Sequence, residues 1–178
     1  MQSSCTDCTD EAVDCLGRCI NILSQAELDE ITENVHRALI HPKGNELFAN
    51  YLSQFPDSLE CLNIYNICSE YLAQEPNQPI RGNVLEESQS LESLITKVKT
   101  VRETALTVTA TDLQLMKQFN EALKIQTREA LLDVLQNAKE YYQNCLRKMH
   151  ERFRDYILQN RNQRALLDIH ANETVPYR

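Results

Sequence analysis

An all-α fold of seven to nine unequal helices, with no sheet, is what this sequence predicts, and three observations predict it. Only three glycines and five prolines punctuate 178 residues. That is too few for the many turns of a β-sandwich. Apolar residues recur at i, i+3, i+4 and i+7 along most of the chain, the period of an amphipathic helix. No segment sustains heptads, so the helices should pack as a globular bundle rather than a coiled coil. The length and a hydrophobic content of 42% suit one domain. Residues 24–168 are its expected extent, after a cysteine-containing acidic lead-in (1–23) and before a flexible tail (169–178).

Within the lead-in, Val13, Leu16, Ile20 and Leu23 stand at helical spacing and suggest a short helix over residues 10–23. Ser24 followed by Glu27 is the S-x-x-E pattern of a capping box. It opens an expected helix over 25–40 whose apolar face is Leu28, Ile31, Val35, Ala38 and Leu39. His41-Pro42-Lys43-Gly44 then breaks the chain. Leu47, Phe48, Tyr51 and Leu52 mark the next helix, 45–55. Phe55 precedes Pro56 and is thereby steered away from the αR region. Ser58 is the expected cap of a helix over 58–73, with Cys61, Leu62, Tyr65, Cys68, Tyr71 and Leu72 inward.

Residues 74–87 hold two prolines, a glycine and two asparagines and read as the one clear loop. Ser88 or Ser90 opens a long helix to about Ala105, with Leu91, Leu94, Ile95, Val98 and Val101 inward. The uncharged, β-branched run 104–111 reads as a connector. Thr111 is the expected cap of a helix carrying Leu113, Leu115, Met116, Phe119 and Leu123. Leu131, Leu135, Ala138, Tyr142, Cys145 and Met149 define a helix from about Thr127 to Met149. A separate last helix holds Phe153, Tyr156 and Ile157 and extends towards Leu167. The expected core is Leu47, Phe48, Leu52, Leu62, Tyr65, Cys68, Leu94, Val98, Phe119, Leu135, Tyr142 and Phe153.

A net charge of −8 argues against nucleic acid as a general partner. The charge is polarised. Residues 1–96 carry 4 basic and 16 acidic side chains; residues 97–178 carry 14 and 10. Solvated helix faces account for this, as does a basic C-terminal surface that meets an acidic partner or, peripherally, lipid head groups. No run reaches the ~20 apolar residues of a transmembrane helix, and the acidic N-terminus does not resemble a signal peptide. A cytoplasmic location with reduced thiols is therefore expected.

Of the seven cysteines, Cys5, Cys8, Cys15 and Cys19 form C-x2-C-x6-C-x3-C. Two close pairs can bring four thiolates to one zinc, although the spacing between pairs is short for a zinc ribbon. Reversible acylation and inert thiols are the other readings of the same cysteines. His36, His41, His150 and His170 are scattered and compose no site. The sequence contains no G-x-S-x-G, P-loop, H-E-x-x-H or dinucleotide fingerprint, so neither an independent enzyme nor a cofactor is expected.

Residues 41–72 carry the chain's one family resemblance. Gly44, Phe48, Tyr51 and Leu52 fit G-x-x-x-F-x-x-[FY]-L. Glu60, Leu62, Tyr65, Cys68 and Tyr71 fit the following E-N-[IL]-x-F-W-x-x-C-x-x-[FY]. This resembles the RGS box, the helical domain of regulators of G-protein signalling, over roughly Leu28 to Leu158. The resemblance implies a domain without chemistry of its own, which holds the switch segments of a Gα subunit in the GTP-hydrolysing conformation. Three loops carry that contact in the family. At the first, Glu60 matches, but Cys61 stands at the Asn position and cannot offer an amide. At the second, Thr107 stands at or near another Asn. At the third, where the last two helices meet, Glu151 stands for an Asp and Asp155 for an Arg, with Arg154 beside it. The resemblance thus implies a signalling protein-interaction domain with little or no GTPase-activating ability, its partner a signalling protein such as Gα. A working activator with substituted contacts and an unrelated cytosolic helical scaffold are the alternatives.

Overall fold

A computed structural model of the chain describes residues 23–75 and 84–173, with side chains over 23–75 and 88–161. The helix expected over residues 10–23, the four cysteines of the lead-in and most of the expected 74–87 loop lie outside the described residues. Among those described, the chain is all-α: α1 (Gln25–Glu33), α2 (Val35–Ile40), α3 (Pro42–Leu52), α4 (Pro56–Gln74), α5 (Val84–Thr107), α6 (Leu113–Ile125) and α7 (Arg128–Glu173), with no strand. Every residue of the expected core is buried. The described residues divide into two compact units, 23–54 with 147–173, and 55–75 with 84–146.

In the first unit, Ser24 and Glu27 form the expected capping box. The Ser24 N–H donates to Glu27 Oε2 at 2.8 Å, and the Glu27 N–H donates to Ser24 Oγ at 3.3 Å. The helix so begun does not reach Ile40. Asn34 is extended (φ −160°, ψ 166°), ends α1 and caps α2, accepting from the Arg37 N–H at 3.0 Å. A short amide that can bond the backbone locally competes with the helix, and apolar periodicity carries no trace of that competition. The break expected at His41 to Gly44 is present but confined to His41, which is extended (φ −78°, ψ 120°) between α2 and α3. Pro42 takes the first helical position, where its missing N–H costs nothing, and His41 Nδ1 accepts from the Gly44 N–H at 3.1 Å.

Gly44 is required for close packing. A Cβ there would stand 2.7 Å from Ile31 Cγ2 and 2.8 Å from the Ala38 carbonyl. Facing these helices, Phe48 and Tyr51 stack with Phe153 at ring separations of 5.1 and 5.5 Å. His150, 4% exposed, lies edge-on to Phe48 with Nε2 2.8 Å from the Ile31 carbonyl oxygen.

In the second unit, α4 starts at Pro56 without a side-chain cap, and Ser58 lies inside its first turn instead of capping it. The helix α5 begins at Val84, before Ser88 and Ser90, and continues through Thr107, so half of the expected connector is helical. Asp112, not Thr111, caps α6: its Oδ1 accepts from the Leu115 N–H at 2.7 Å. Gln126 closes α6 in the left-handed region (φ 56°), the one non-glycine residue described with positive φ. Cys61, Leu62, Ile64, Tyr65, Cys68, Leu94, Val98, Phe119, Leu135 and Tyr142 fill this unit's interior. Glu75, at the end of α4, accepts from Lys97 Nζ at 3.0 Å and Arg128 Nη2 at 2.6 Å, which joins α4 to α5 and α7.

The largest departure from expectation is α7. Residues 128–173 form one helix of 46 residues, where two were expected with a junction near 149–153. That stretch, Lys148 to Tyr156, contains no glycine or proline to stop a helix. The helix also runs past His170, and residues 174–178 lie outside the described range. Residues 128–146 of α7 belong to the second unit and 147–173 to the first.

Candidate partner-binding surface

The turn between α5 and α6, residues 108–112, is fastened at several points within the second unit. Thr109 Oγ1 donates to Asp57 Oδ2 on the first turn of α4 at 3.3 Å. The Thr111 and Tyr142 hydroxyls are 2.7 Å apart. The Tyr141 hydroxyl donates to the Ala110 carbonyl and accepts from the Asp112 N–H. Val108 is buried beneath the turn, while Leu106 and Leu113 flank it and are exposed. A short connector with no regular structure is thereby held against α4 and α7.

Glu60 and Thr107 lie on the two segments so joined, and both side chains are exposed. The Thr107 hydroxyl donates back to the Thr104 carbonyl at 2.7 Å, an ordinary bond of a threonine ending a helix. Cys61 is different. It is 3% exposed, and burial, with smaller contributions from Cys145 and Asp57, pushes its thiol up to about 12. The thiol is protonated at neutral pH and turned into the unit's interior, so the position presents no side chain to a partner. Cys68 is likewise pushed up to about 12 by burial, and burial raises Cys145. All three are free thiols.

Glu151, Arg154 and Asp155 are exposed on α7, within the first unit. They sit in the interior of a continuous helix. The helix junction to which the resemblance assigned them is absent. Glu151 and Asp155 are one turn apart, two like charges on one helical face, with Arg154 three residues beyond Glu151.

The zinc candidates Cys5, Cys8, Cys15 and Cys19 lie outside the described residues. Among the described residues no three His, Cys, Asp or Glu side chains converge as metal ligands. No described helix is long and apolar enough to cross a membrane. Sequence reading missed Asp57, Thr109, Tyr141 and Asp112 as the parts that shape this surface. Asp112 was recoverable, since an aspartate three residues before Leu115 is a good N-cap. The Tyr141 and Thr109 bonds join residues 31 and 52 positions apart and leave no local signal. No family model, curated protein or solved structure matches the chain.

Proposed function

We propose that this chain is a divergent RGS-homology protein-interaction domain, which binds a signalling partner and has little or no GTPase-activating ability. The observation that carries the reading is the bond between Asp57 and Thr109. It draws the start of α4 and the α5–α6 turn, two of the three segments the resemblance assigns to partner contact, into one surface with Glu60 and Thr107 exposed. The burial of Cys61 supports the second half of the proposal. The family's Asn at that place offers an amide to the switch region, and here the partner's polar groups would face no donor, at ~1–3 kcal/mol for each buried group left unpaired. Thr107 lacks an amide as well, and Asp155 reverses a charge.

Single-turnover GTP hydrolysis by Gα subunits of each class, with this domain in excess, should proceed at the unassisted rate. A clear acceleration with any class overturns the proposal in favour of an active regulator. Capture of Gα loaded with GDP and aluminium fluoride tests binding separately. Restoring contacts through Thr107→Asn and Asp155→Arg is practical because both sites are exposed. Cys61→Asn is not: it would bury an amide among apolar neighbours at a cost of ~1–3 kcal/mol.

A further inference from the structure

Beside the α5–α6 turn, α6 and the first half of α7 border an open cleft of ≈ 290 Å³, all of it within the second unit. Gln114 and Gln118 line it from α6, Asn137 and Asn144 from α7, and its charged groups are Asp112 and Glu140. We infer that this cleft is a docking site for an extended polypeptide segment of the partner that carries an arginine or lysine. The inference rests on the reading that the domain binds a protein, and it specifies what that protein presents.

Four carboxamides are the chemical reason. Each offers one acceptor and an NH2 donor, the complement of a peptide group, and none of the four has a hydrogen-bond partner among the described residues. Their spacing suits a strand. One helical turn, Gln114 to Gln118, advances ~6 Å, and alternate residues of an extended chain repeat every ~6.6 Å. Asn137 and Asn144, two turns apart, span ~10.5 Å, about three residues of such a chain.

Charge selects among peptides. No lysine or arginine lines the cleft. Asp112 Oδ1 is engaged by the Leu115 N–H and Glu140 Oε1 by Gln136, which leaves one oxygen of each carboxylate without a partner among the described residues. Both side chains are exposed, so these oxygens face water, which a guanidinium or ammonium from the partner would replace with a charge-assisted bond. The Tyr141 hydroxyl bonds to Ala110 and Asp112 hold the rim in place before anything docks.

The test uses the full chain with nitrogen-15 label, following the side-chain NH2 resonances. The probes are acetyl-Gly-Gly-Arg-Gly-Gly-amide, the same peptide with Glu in place of Arg, and acetyl-arginine amide. The Arg peptide should shift the Gln114, Gln118, Asn137 and Asn144 resonances saturably at millimolar concentrations. The Glu peptide should bind about tenfold more weakly or worse, as loss of a charge-assisted bond implies. Glu140→Gln and Asn137→Ala, both at exposed positions, should each weaken the Arg peptide with the circular dichroism spectrum unchanged. No saturable shift overturns the inference, as does an equal response to the Glu peptide. A response to acetyl-arginine amide equal to that of the Arg peptide overturns it too, since the cleft would then hold a cation and no strand. Gα capture reports on the functional reading independently, so either can fail alone.

Discussion

Gly44 shows how one residue sets the distance between helices. Its Cα lies where a side chain would strike both Ile31 and the Ala38 backbone, and the backbone cannot yield as a side-chain tip can. Gly44→Ala should therefore destabilise the protein by ~1–3 kcal/mol despite alanine's better helix propensity, because overpacking outweighs a gain of ~1 kcal/mol. Urea denaturation reads this directly, and unchanged or increased stability would show that the helices can separate without loss. The sequence marks Gly44 as part of a break after Pro42 and as the first residue of the G-x-x-x-F pattern. Its actual role depends on what stands opposite, and nothing local discloses that. Cys61 is the converse case: its place on the apolar face of α4 already pointed inward, and the structure buries it.

Among the elements, α7 separates what periodicity can and cannot establish. Its apolar residues are legible from Leu131 to Ile157, and so is their inward face. The break expected near residues 149–153 has no residue to cause it, and the helix continues. Glu151→Pro discriminates between these two readings. In a helix interior, proline removes a hydrogen bond and clashes with the preceding turn, costing ~3 kcal/mol or more; at a junction it would be tolerated. A large fall in urea midpoint is expected, and a neutral effect would restore the two-helix reading. The converse holds at α1 and α2, where an apolar period runs unbroken across a break made by Asn34. Helix faces follow from the 3.6-residue repeat, whereas helix ends follow from caps, in which a single hydrogen bond decides.

For the molecule as a whole, two groups make stability depend on pH in separable ranges. Burial, the leading cause, holds His150 below its ordinary 6.5, with the Arg154 charge acting the same way and the Ile31 carbonyl and Glu151 opposing. A depressed histidine is neutral in the folded state and takes up its proton more readily when unfolded. Its contribution is complete above pH 6.5 and is lost as pH falls from there through the folded-state value. Glu27 is held down to about 2 from 4.5, chiefly by the Ser24 N–H, then by the Ser24 hydroxyl and Lys43. Its contribution is complete above pH 4.5 and is lost as pH falls towards 2. Urea denaturation across pH should show the unfolding free energy declining below 6.5 in the native chain. That upper decline should flatten in His150→Gln, while the decline below 4.5 remains. An unaltered upper slope in the variant would assign it to other groups.

The all-α class, the absence of a sheet from the described residues, the core residues and the Ser24 cap were determined by the sequence itself. Each depends on local spacing or on a side chain bonding its own backbone within a turn, and such signals are complete in a few consecutive residues. The tertiary structure alone decided the continuity of α7, the close approach at Gly44, the Asp57–Thr109 and Tyr141 bonds that shape the candidate surface, and the cleft of carboxamides. These are contacts between residues far apart in the chain, formed only when helices pack, and no window of sequence contains both partners.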